Sequence, residues 1–381
     1  MSNISFNKPY LTGKEIHYIY EAVHSGKISG NGAFTKKCQQ FIEKHSSSSK
    51  CLLSTSCTDA LEMSAILANI KPGDEVIMPS YTFVSTANAF ILRGAKIIFT
   101  DSRPDHPGMD ESSIRELITD RTKAIVPVHY AGVACDMNSI MDISDEFGLF
   151  IIEDAAQAID SSYKWPNGTI SPLGSLGHFG TYSFHETKNI QSGEGGALLI
   201  NDASQHDRAE VIWEKGTNRT AFWRGDVDKY GWVDIGSSFL PSELIAAFLY
   251  AQLENLDEIQ SLRKAIWTRY ADGLKPLIEK GSVREPYIPS YATNNAHMYY
   301  LVCNSLEERT GLIAFLTDHN IYAAFHYQSL HNSEYFEKLH DGRELIWADR
   351  YTSCLVRLPI YAELSLKQVD FIIEKVLEFY N

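Results

Sequence analysis

Short apolar runs alternate with helical patterns between about residues 50 and 201. After the run Cys51–Leu53, apolar residues recur at spacings of three and four along 60–70, which is typical of a helix packed on one face. The remaining strand predictions are Glu75–Met78, Ala95–Thr100, Thr122–Val128, Leu149–Ile152, Gly180–Phe184 and Ala197–Ile200. This alternation predicts an α/β fold with a mainly parallel sheet that is covered on both faces. The last two strands are too close in sequence for a crossover helix, so we expect an antiparallel pairing there.

The C-terminal third has a different pattern. The stretch Ser242–Ile278 is helical, with one apolar face, and is expected to connect a large domain to a smaller one. Three further strands are predicted at Met298–Val302, Ile321–Phe325 and Leu355–Leu358, followed by a closing amphipathic helix. We therefore predict a large domain over residues 1–255 and a small α+β domain over residues 256–381.

Composition and charge exclude several classes of protein. The chain has 381 residues, of which 44% are hydrophobic, enough for a substantial core. A formal net charge of −14 argues against general binding to nucleic acid or to anionic membranes. No apolar run approaches the roughly 20 residues of a membrane helix, and the first residues have no signal-peptide pattern. The six cysteines are scattered, so no metal site is predicted, and a cytoplasmic location is expected.

Two carboxylates follow one of the predicted buried strands. Glu153 and Asp154 come directly after Leu149–Ile152, and ligands of such sheets bind beyond the carboxyl ends of the strands. One of the two could hold a cationic ring nitrogen. Taken alone, the segment favours the other interpretation, in which Asp154 is a helix N-cap.

A lysine and a hydroxyl-rich turn occupy two further strand ends. Lys188 follows the predicted strand Gly180–Phe184. A lysine desolvated among apolar strands has a lowered pKa and a nucleophilic amine. Most single lysines, however, are surface residues. The glycines of Ser192–Gly196 let the backbone approach a ligand closely. Ser56, Cys57 and Thr58 lie at a strand-to-helix turn that suits either a phosphate or simple helix capping.

Together these three features suggest pyridoxal phosphate. This cofactor needs an anion site, a carboxylate for its ring nitrogen and a lysine for its aldehyde. It also needs an aromatic neighbour, which Pro79–Phe83 can supply. The glycine fingerprints of dinucleotide- and ATP-binding proteins are absent, as are the common hydrolase motifs.

The chain resembles the sugar-nucleotide aminotransferases of the aspartate-aminotransferase fold type almost from end to end. The resemblance rests on a set of segments: Ser25–Lys27, Gly73–Val76, Pro79–Ala89, Val126–Gly132, Glu153–Gln157 and Ser183–Lys188. Within the family it is most similar to transaminases that form dTDP-4-amino-4,6-dideoxygalactose, on the segments Ser183–Asn189, Gly193–Ala197, Glu214–Arg219 and Asp234–Ser238.

The resemblance implies a role for individual residues. Lys188 would be the catalytic lysine that links to the cofactor, and Asp154 would pair with its ring nitrogen. Gln157 would approach the ring hydroxyl, and Phe83 would lie against the ring. Phosphate would be bound by Ser183 together with the turn at Ser56, Cys57 and Thr58.

The resemblance also implies a homodimer with shared active sites, glutamate as amino donor and a nucleotide sugar as acceptor. Candidate substrate residues are His185, Arg219, Lys229, His326 and Tyr327. Two departures concern the phosphate: Cys57 replaces the usual glycine of the turn, and Ser238 stands near the place of a partner-subunit asparagine. The motif Glu194–Gly196 favours amination at C4 of the sugar. Amination at C3, or a non-catalytic regulatory protein on the same fold, are the alternatives.

Overall fold

The computed structural model describes residues 3–381. Its strands are, in chain order, β1 (Lys50–Ser54), β2 (Glu75–Pro79), β3 (Lys96–Thr100), β4 (Thr122–Ile125), β5 (Phe150–Asp154), β6 (Ser162–Lys164), β7 (Ile170–Pro172), β8 (Phe179–Ser183), β9 (Gly196–Ile200), β10 (Tyr299–Val302), β11 (Ala324–Phe325) and β12 (Leu355–Leu358).

A seven-stranded sheet forms the centre of the molecule. Its strand order is β1-β9-β8-β5-β4-β2-β3. All neighbouring pairs are parallel except the two that involve β9, which runs antiparallel to β1 and to β8. The mainly parallel sheet and the antiparallel pairing of the last two predicted strands are therefore confirmed.

Helices cover both faces of this sheet. They are α1 (Glu15–His24), α2 (Ala33–Ser46), α3 (Cys57–Leu67), α4 (Val84–Ile91), α5 (Ile114–Leu117), α6 (Met137–Phe147), α7 (His206–Trp213), α8 (Arg219–Arg224), α9 (Glu243–Leu253), α10 (Leu256–Glu279), α11 (Leu306–Asp318), α12 (Ile346–Cys354) and α13 (Leu366–Phe379). Two apolar clusters, one on each face, bury the alternating side chains of the strands. This burial on both faces explains why the strands read as continuous apolar runs.

Local sequence explains several helix ends. The Asp136 side chain accepts a hydrogen bond from the Ser139 amide at the start of α6, and Gly148 ends that helix with a φ of 65°. Ser365 and Gln368 form a capping box at the start of α13.

The C-terminal part builds a second sheet, in the order β10-β12-β11. Its own apolar cluster includes Ile4, which pairs with Ile321 across a parallel bridge. The first residues described thus pack beside the C-terminal sheet. The division of the chain at residue 255 stays a prediction.

Three local features differ from the sequence-based expectations. The predicted helical stretch is interrupted at 254–255, between α9 and α10. The predicted strand Ile321–Phe325 is regular only at its last two residues, because Ile321 pairs with Ile4 instead. The hairpin of β6 and β7 was not predicted, since three-residue strands are too short to show a period.

Candidate active site

A cavity of about 620 Å³ lies at the carboxyl ends of the parallel strands. The antiparallel strand β9 begins at this same edge, because Gly196 pairs with both Ser54 and Ser183. The predicted site residues that line the cavity are Ser56, Cys57, Thr58, Phe83, Asp154, Gln157, Ser183, His185, Lys188, His326 and Tyr327. Segments far apart in sequence therefore meet where the topology of the sheet requires it.

Lys188 lies in the loop between β8 and β9. Its backbone amide donates to the His185 carbonyl at 2.9 Å, which forms a tight turn after the strand. Burial lowers the pKa of the Lys188 amine, and the positive charge of Arg357 lowers it further, whereas Asp154 acts in the opposite direction. An amine with a lowered pKa is suited to nucleophilic attack and to proton transfer.

Asp154 faces the cavity from the end of β5. Its Oδ2 accepts a hydrogen bond from Thr86 Oγ1 at 2.7 Å, and its Oδ1 accepts one from the Ala156 amide at 3.2 Å. Thr86 Oγ1 lies 2.8 Å from Thr82 Oγ1, so a hydroxyl in α4 and one in the segment before it support the carboxylate. The side chain is held in one orientation, with 6% of its surface exposed. It is placed to bind a cationic group in the cavity.

Glu153 serves a structural purpose on the opposite side of the strand. Its carboxylate accepts hydrogen bonds from the amides of Gly174, Leu176 and Gly177 at 2.7–2.8 Å and lies 2.9 Å from His129 Nε2. Neighbouring strand residues point to opposite faces, so only one carboxylate of the pair can reach the cavity. The geometry therefore separates the two acids that sequence alone left as alternatives.

The N-terminus of α3 contributes its amides to the cavity wall. Ser56 caps this helix, with its Oγ accepting from the Asp59 amide at 3.0 Å. Thr58 Oγ1 donates to Ser85 Oγ at 2.8 Å, which connects α3 to the start of α4. Free amides and hydroxyls at a helix N-terminus favour an anion such as phosphate. Burial and the Asp154 charge raise the pKa of the Cys57 thiol to about 12, so that Cys57 is a neutral neighbour.

Gly196 makes room for this turn. A Cβ at Gly196 would lie 2.4 Å from the Cys57 amide nitrogen and 2.4 Å from the Ser56 carbonyl carbon. The sequence predicts that the glycine-rich segment allows close approach of the backbone to a ligand. The close approach seen at Gly196 is instead to the backbone of the phosphate-type turn.

Gln157 and a group of aromatic rings form another wall. Gln157 Oε1 accepts from the Ala131 amide at 2.7 Å, and its Nε2 donates to the Tyr327 hydroxyl at 3.1 Å. The Tyr327 ring lies 6.0 Å from the ring of Phe83, a residue that is 55% exposed and lines the cavity. An exposed aromatic side chain in a cavity of this size offers a surface on which a planar ring can pack.

The histidines around the cavity differ in their surroundings. His185 is partly exposed, with Nε2 lying 3.7 Å from Glu194 Oε1. His326 Nδ1 lies 3.1 Å from the Tyr130 hydroxyl. Burial, followed by the charges of Arg357 and Lys188, holds the pKa of His326 well below its usual range. A neutral imidazole is expected there.

Three predicted residues lie outside this cavity. Arg219 and Lys229 are exposed in and after α8, and Ser238 is exposed at a bridge with Glu214. They belong to one segment of about residues 214–240. The resemblance assigned the Ser238 contact to a partner subunit, so its role and those of Arg219 and Lys229 stay predictions.

The structure also brings to the cavity residues that were not predicted as site residues, among them Phe6, Thr86, His297 and Arg357. Arg357 had a local signal, because it is a charge within the apolar run Leu355–Leu358. Thr86 follows Phe83 by one helical turn in a segment already quoted for the resemblance. Phe6 and His297 come from regions without a motif.

Residues 3–381 contain neither a membrane-spanning helix nor a cluster of metal ligands. No helix of that range is long and apolar enough to cross a membrane. Nor do histidine, cysteine or acidic side chains there gather into a group of three or more that could hold a metal ion.

The residues of the cavity fit pyridoxal phosphate. Lys188 offers a buried amine, Asp154 an oriented carboxylate, and α3 an N-terminus beside Ser183 and Thr58. The glycine at 196 preserves the turn that would receive the phosphate. A mainly parallel sheet with this constellation at its carboxyl edge defines a pyridoxal-phosphate-dependent enzyme of fold type I.

Comparison with known proteins agrees with this class. The model of the DegT/DnrJ/EryC1/StrS aminotransferase family matches residues 9–377, so the chain belongs to that family. GDP-perosamine synthase of Escherichia coli O157:H7 is 31% identical over 386 residues, covering 100% of both chains. UDP-4-amino-4-deoxy-L-arabinose–oxoglutarate aminotransferase of Shewanella sediminis (strain HAW-EB3) is 28% identical, covering 97% of this chain and 96% of the relative.

A solved structure extends the similarity to the fold. The PMP form of a sugar aminotransferase, Spr1654 from Streptococcus pneumoniae, superposes with a TM-score of 0.89 at 26% identity, covering 99% of this chain and 98% of the other. The protein is therefore a pyridoxal-phosphate-dependent aminotransferase that acts on nucleotide sugars.

Proposed function

We propose that the enzyme transfers the amino group of glutamate to C4 of a dTDP-4-keto-6-deoxyhexose, giving dTDP-4-amino-4,6-dideoxygalactose or its gluco epimer. The observation that carries the proposal is the shared cavity of Lys188 and Asp154. A binding or regulatory protein would not need a buried amine and an oriented carboxylate together. This combination is what transamination requires.

In this reaction Lys188 moves a proton at the carbon that carries or receives nitrogen. Its lowered pKa leaves a larger fraction of the amine free to accept that proton near neutral pH. Asp154, fixed by Thr86, keeps a cationic nitrogen paired. When bound, pyridoxal phosphate supplies the electron sink for the proton transfer. Gln157 and Phe83 would orient the flat ring, and Ser56, Thr58 and Ser183 would anchor its phosphate.

The amino donor and the sugar position have separate support. The name of the Shewanella relative includes both a 4-amino sugar and oxoglutarate, which is the product that glutamate leaves after giving up its amino group. The segment Glu194–Gly196 in this chain favours the same position by resemblance. The proposed dTDP base rests on the resemblance alone, since the two named relatives act on GDP and UDP sugars.

A homodimer with shared active sites is part of the proposal. The segment that carries Arg219, Lys229 and Ser238 also exposes large apolar side chains, including Trp223 at 72% and Trp232 at 84%. An exposed aromatic group beside positive charges suits contact with a second copy and with an anionic substrate. Sedimentation equilibrium at micromolar concentration would test the dimer.

The central experiment separates the two halves of the reaction. Enzyme loaded with pyridoxal phosphate is treated with glutamate, freed of glutamate and given dTDP-4-keto-6-deoxyglucose, with GDP- and UDP-4-keto sugars in parallel. We expect an amino group at C4 of the dTDP sugar, detected by mass spectrometry and NMR. Amination at C3, or of another nucleotide alone, would contradict the specific proposal.

Replacement of Lys188 tests the catalytic assignment. We expect Lys188→Ala to form no aminated sugar, since proton transfer by the lysine is lost. Lys71→Ala, at an exposed lysine outside the cavity, is the matched control and should keep full activity. Normal turnover by the Lys188→Ala enzyme would refute the assignment.

A further inference from the structure

Asn189, the residue after Lys188, is the centre of a buried hydrogen-bond network. Its Nδ2 donates to the side-chain oxygen of Gln260 and to the Asn295 carbonyl, both at 2.8 Å. Its Oδ1 lies 2.9 Å from His297 Nδ1. Each member of the network has 8% or less of its surface exposed. The network therefore ties the loop that carries Lys188 to α10 and to the segment before β10.

The partners in this network determine which nitrogen of His297 carries a hydrogen. A backbone carbonyl can only accept, so the contact with Asn295 identifies the NH₂ group of Asn189 and leaves Oδ1 for the imidazole. Because Oδ1 also only accepts, His297 Nδ1 must donate. Burial, followed by the charge of Lys188, holds the pKa of His297 well below its usual range. The imidazole is therefore neutral, with its hydrogen on Nδ1 and an unprotonated Nε2.

Nε2 is the nitrogen of His297 that is available to the cavity. The residue lines the cavity together with Lys188, and Nε2 forms no hydrogen bond among residues 3–381. The backbone of His297 is held on both sides, since its amide donates to Asn295 Oδ1 at 3.0 Å and its carbonyl accepts from Arg263 Nη2 at 2.7 Å. The cavity wall thus contains a fixed and uncharged hydrogen-bond acceptor.

We propose that His297 is a positioning residue for Lys188, whose amine donates a hydrogen bond to Nε2 and is thereby oriented for proton transfer. The inference rests on the proposed function, in which Lys188 moves a proton. The charge of Lys188 acts on His297, and Asn189 connects the histidine to the lysine loop. An amine has hydrogens to donate besides the lone pair that takes up a proton, so this contact leaves the base free to act.

The other groups around the lysine are less suited to hold its amine. The titratable groups that act on Lys188 are Cys57, Asp154 and Arg357. The Cys57 thiol is neutral and a weak acceptor, and Arg357 has only donors. Asp154 already accepts two hydrogen bonds, and its charge would stabilise the ammonium form more strongly than a neutral imidazole does. His297 orients the amine at a smaller cost in basicity.

Nitrogen-15 NMR of the histidine-labelled full chain without cofactor tests the tautomer directly. The signals of His297 are identified by their absence in His297→Asn. We expect Nδ1 to carry the hydrogen and Nε2 to be unprotonated. A wild-type enzyme in which Nε2 carries the hydrogen would overturn the inference.

Carbamylation by cyanate reports on the lysine, because only the free amine reacts. The rate at Lys188 in the cofactor-free chain is followed against pH by mass spectrometry of the modified peptide. A hydrogen bond to an acceptor favours the ammonium form, so its loss lowers the pKa. We expect His297→Asn, which keeps an NH₂ group for Asn189 but has nothing at the place of Nε2, to lower the midpoint by about 1 pH unit. His297→Gln, whose amide reaches that place, should restore part of the shift.

The glutamate half-reaction of the holoenzyme distinguishes positioning from a purely structural role. We expect His297→Asn to slow it about 10- to 100-fold at saturating glutamate, with the KM for glutamate unchanged, because the amine is misoriented. His106→Asn is the matched control: His106 is a buried histidine with a lowered pKa outside the cavity, and its substitution should change neither the cyanate midpoint nor the rate. Thermal unfolding shows whether each variant is folded, and His297→Gln preserves the test if His297→Asn is not.

Two further results would overturn the inference. One is an unchanged cyanate midpoint and an unchanged half-reaction rate in folded His297→Asn. The other is a raised KM for the nucleotide sugar with the glutamate half-reaction unaltered, which would assign His297 to the acceptor. Failure of the proposed function has a different signature: wild-type enzyme loaded by glutamate would aminate no 4-keto sugar, while the histidine tautomer and the cyanate midpoint would be as expected.

Discussion

A single methyl group added at Gly196 should disturb the proposed phosphate site. In Gly196→Ala the new Cβ would lie 2.4–2.5 Å from three atoms of the Ser56–Cys57 peptide. Gly196 is paired with Ser54 on one side and Ser183 on the other, so β9 cannot move away. The displacement must therefore fall on the peptide that begins α3.

The size of the effect follows from these distances. Carbon atoms in contact prefer about 3.5 Å or more, so the peptide has to shift by about 1 Å. Overpacking that forces a backbone shift costs about 1–3 kcal/mol of stability. The shifted peptide belongs to the N-terminus proposed to receive the phosphate, and a displacement of this size is expected to weaken cofactor binding about 10- to 100-fold.

Urea unfolding of the cofactor-free protein measures the first effect, and fluorescence titration with pyridoxal phosphate measures the second. Gly311→Ala is the matched control in α11. Its Cβ would lie 3.4 Å from the nearest Phe379 ring carbon, which is an ordinary contact. Because alanine favours helix over glycine, this variant should gain about 0.5–1 kcal/mol. Unchanged stability and unchanged cofactor affinity in Gly196→Ala would refute the reasoning.

The remaining predictions concern buried ionisable groups away from the reaction. In Glu153→Gln an amide NH₂ replaces a carboxylate oxygen that accepts hydrogen bonds from backbone amides. We expect the free energy of unfolding, measured with urea, to fall by about 1–3 kcal/mol. A variant as stable as the wild type would contradict this structural role. Burial lowers the pKa of His106 to about 3, so below pH 6.5 the unfolded chain binds more protons than the native one. The free energy of unfolding should fall by about 2 kcal/mol between pH 6.5 and 5, and His106→Asn, which keeps an acceptor for the Gly108 amide, should reduce that fall.

The central sheet and the edge that carries the site residues could be predicted from sequence. Each strand and the site residues next to it lie in one short, continuous segment. Each central strand is an apolar run buried on both faces, and the residue that follows it lies at the ligand-binding edge. Asp154, Lys188 and the turn at Ser56 were found in this way. The end of a predicted strand therefore indicated both the boundary of the sheet element and the position of candidate ligand-binding residues.

Features set by long-range contacts could not be predicted. Arg357 reaches the cavity because β12 lies at the centre of the C-terminal sheet, an arrangement that no local pattern encodes. The separation of Glu153 from Asp154 depended on which face of β5 meets the cavity. The bridge between Ile4 and Ile321 joins the N-terminal segment to the C-terminal part of the chain, and Phe6 lies against Arg357.

The site therefore has two halves: one formed at the strand ends of the large sheet, the other by the C-terminal sheet and the N-terminal segment. Substitutions in the two halves are expected to differ in how far they disturb the core. The large sheet supplies Lys188, Asp154 and the α3 turn through residues adjacent to buried strands, so a change there disturbs the core as well as the chemistry. Arg357 and Phe6 touch each other at the cavity wall, on the C-terminal sheet and the N-terminal segment. Substitution of this second pair leaves the strand ends of the large sheet in place. The shape of the cavity near Arg357 and Phe6 can therefore change while the residues of the large sheet keep their geometry.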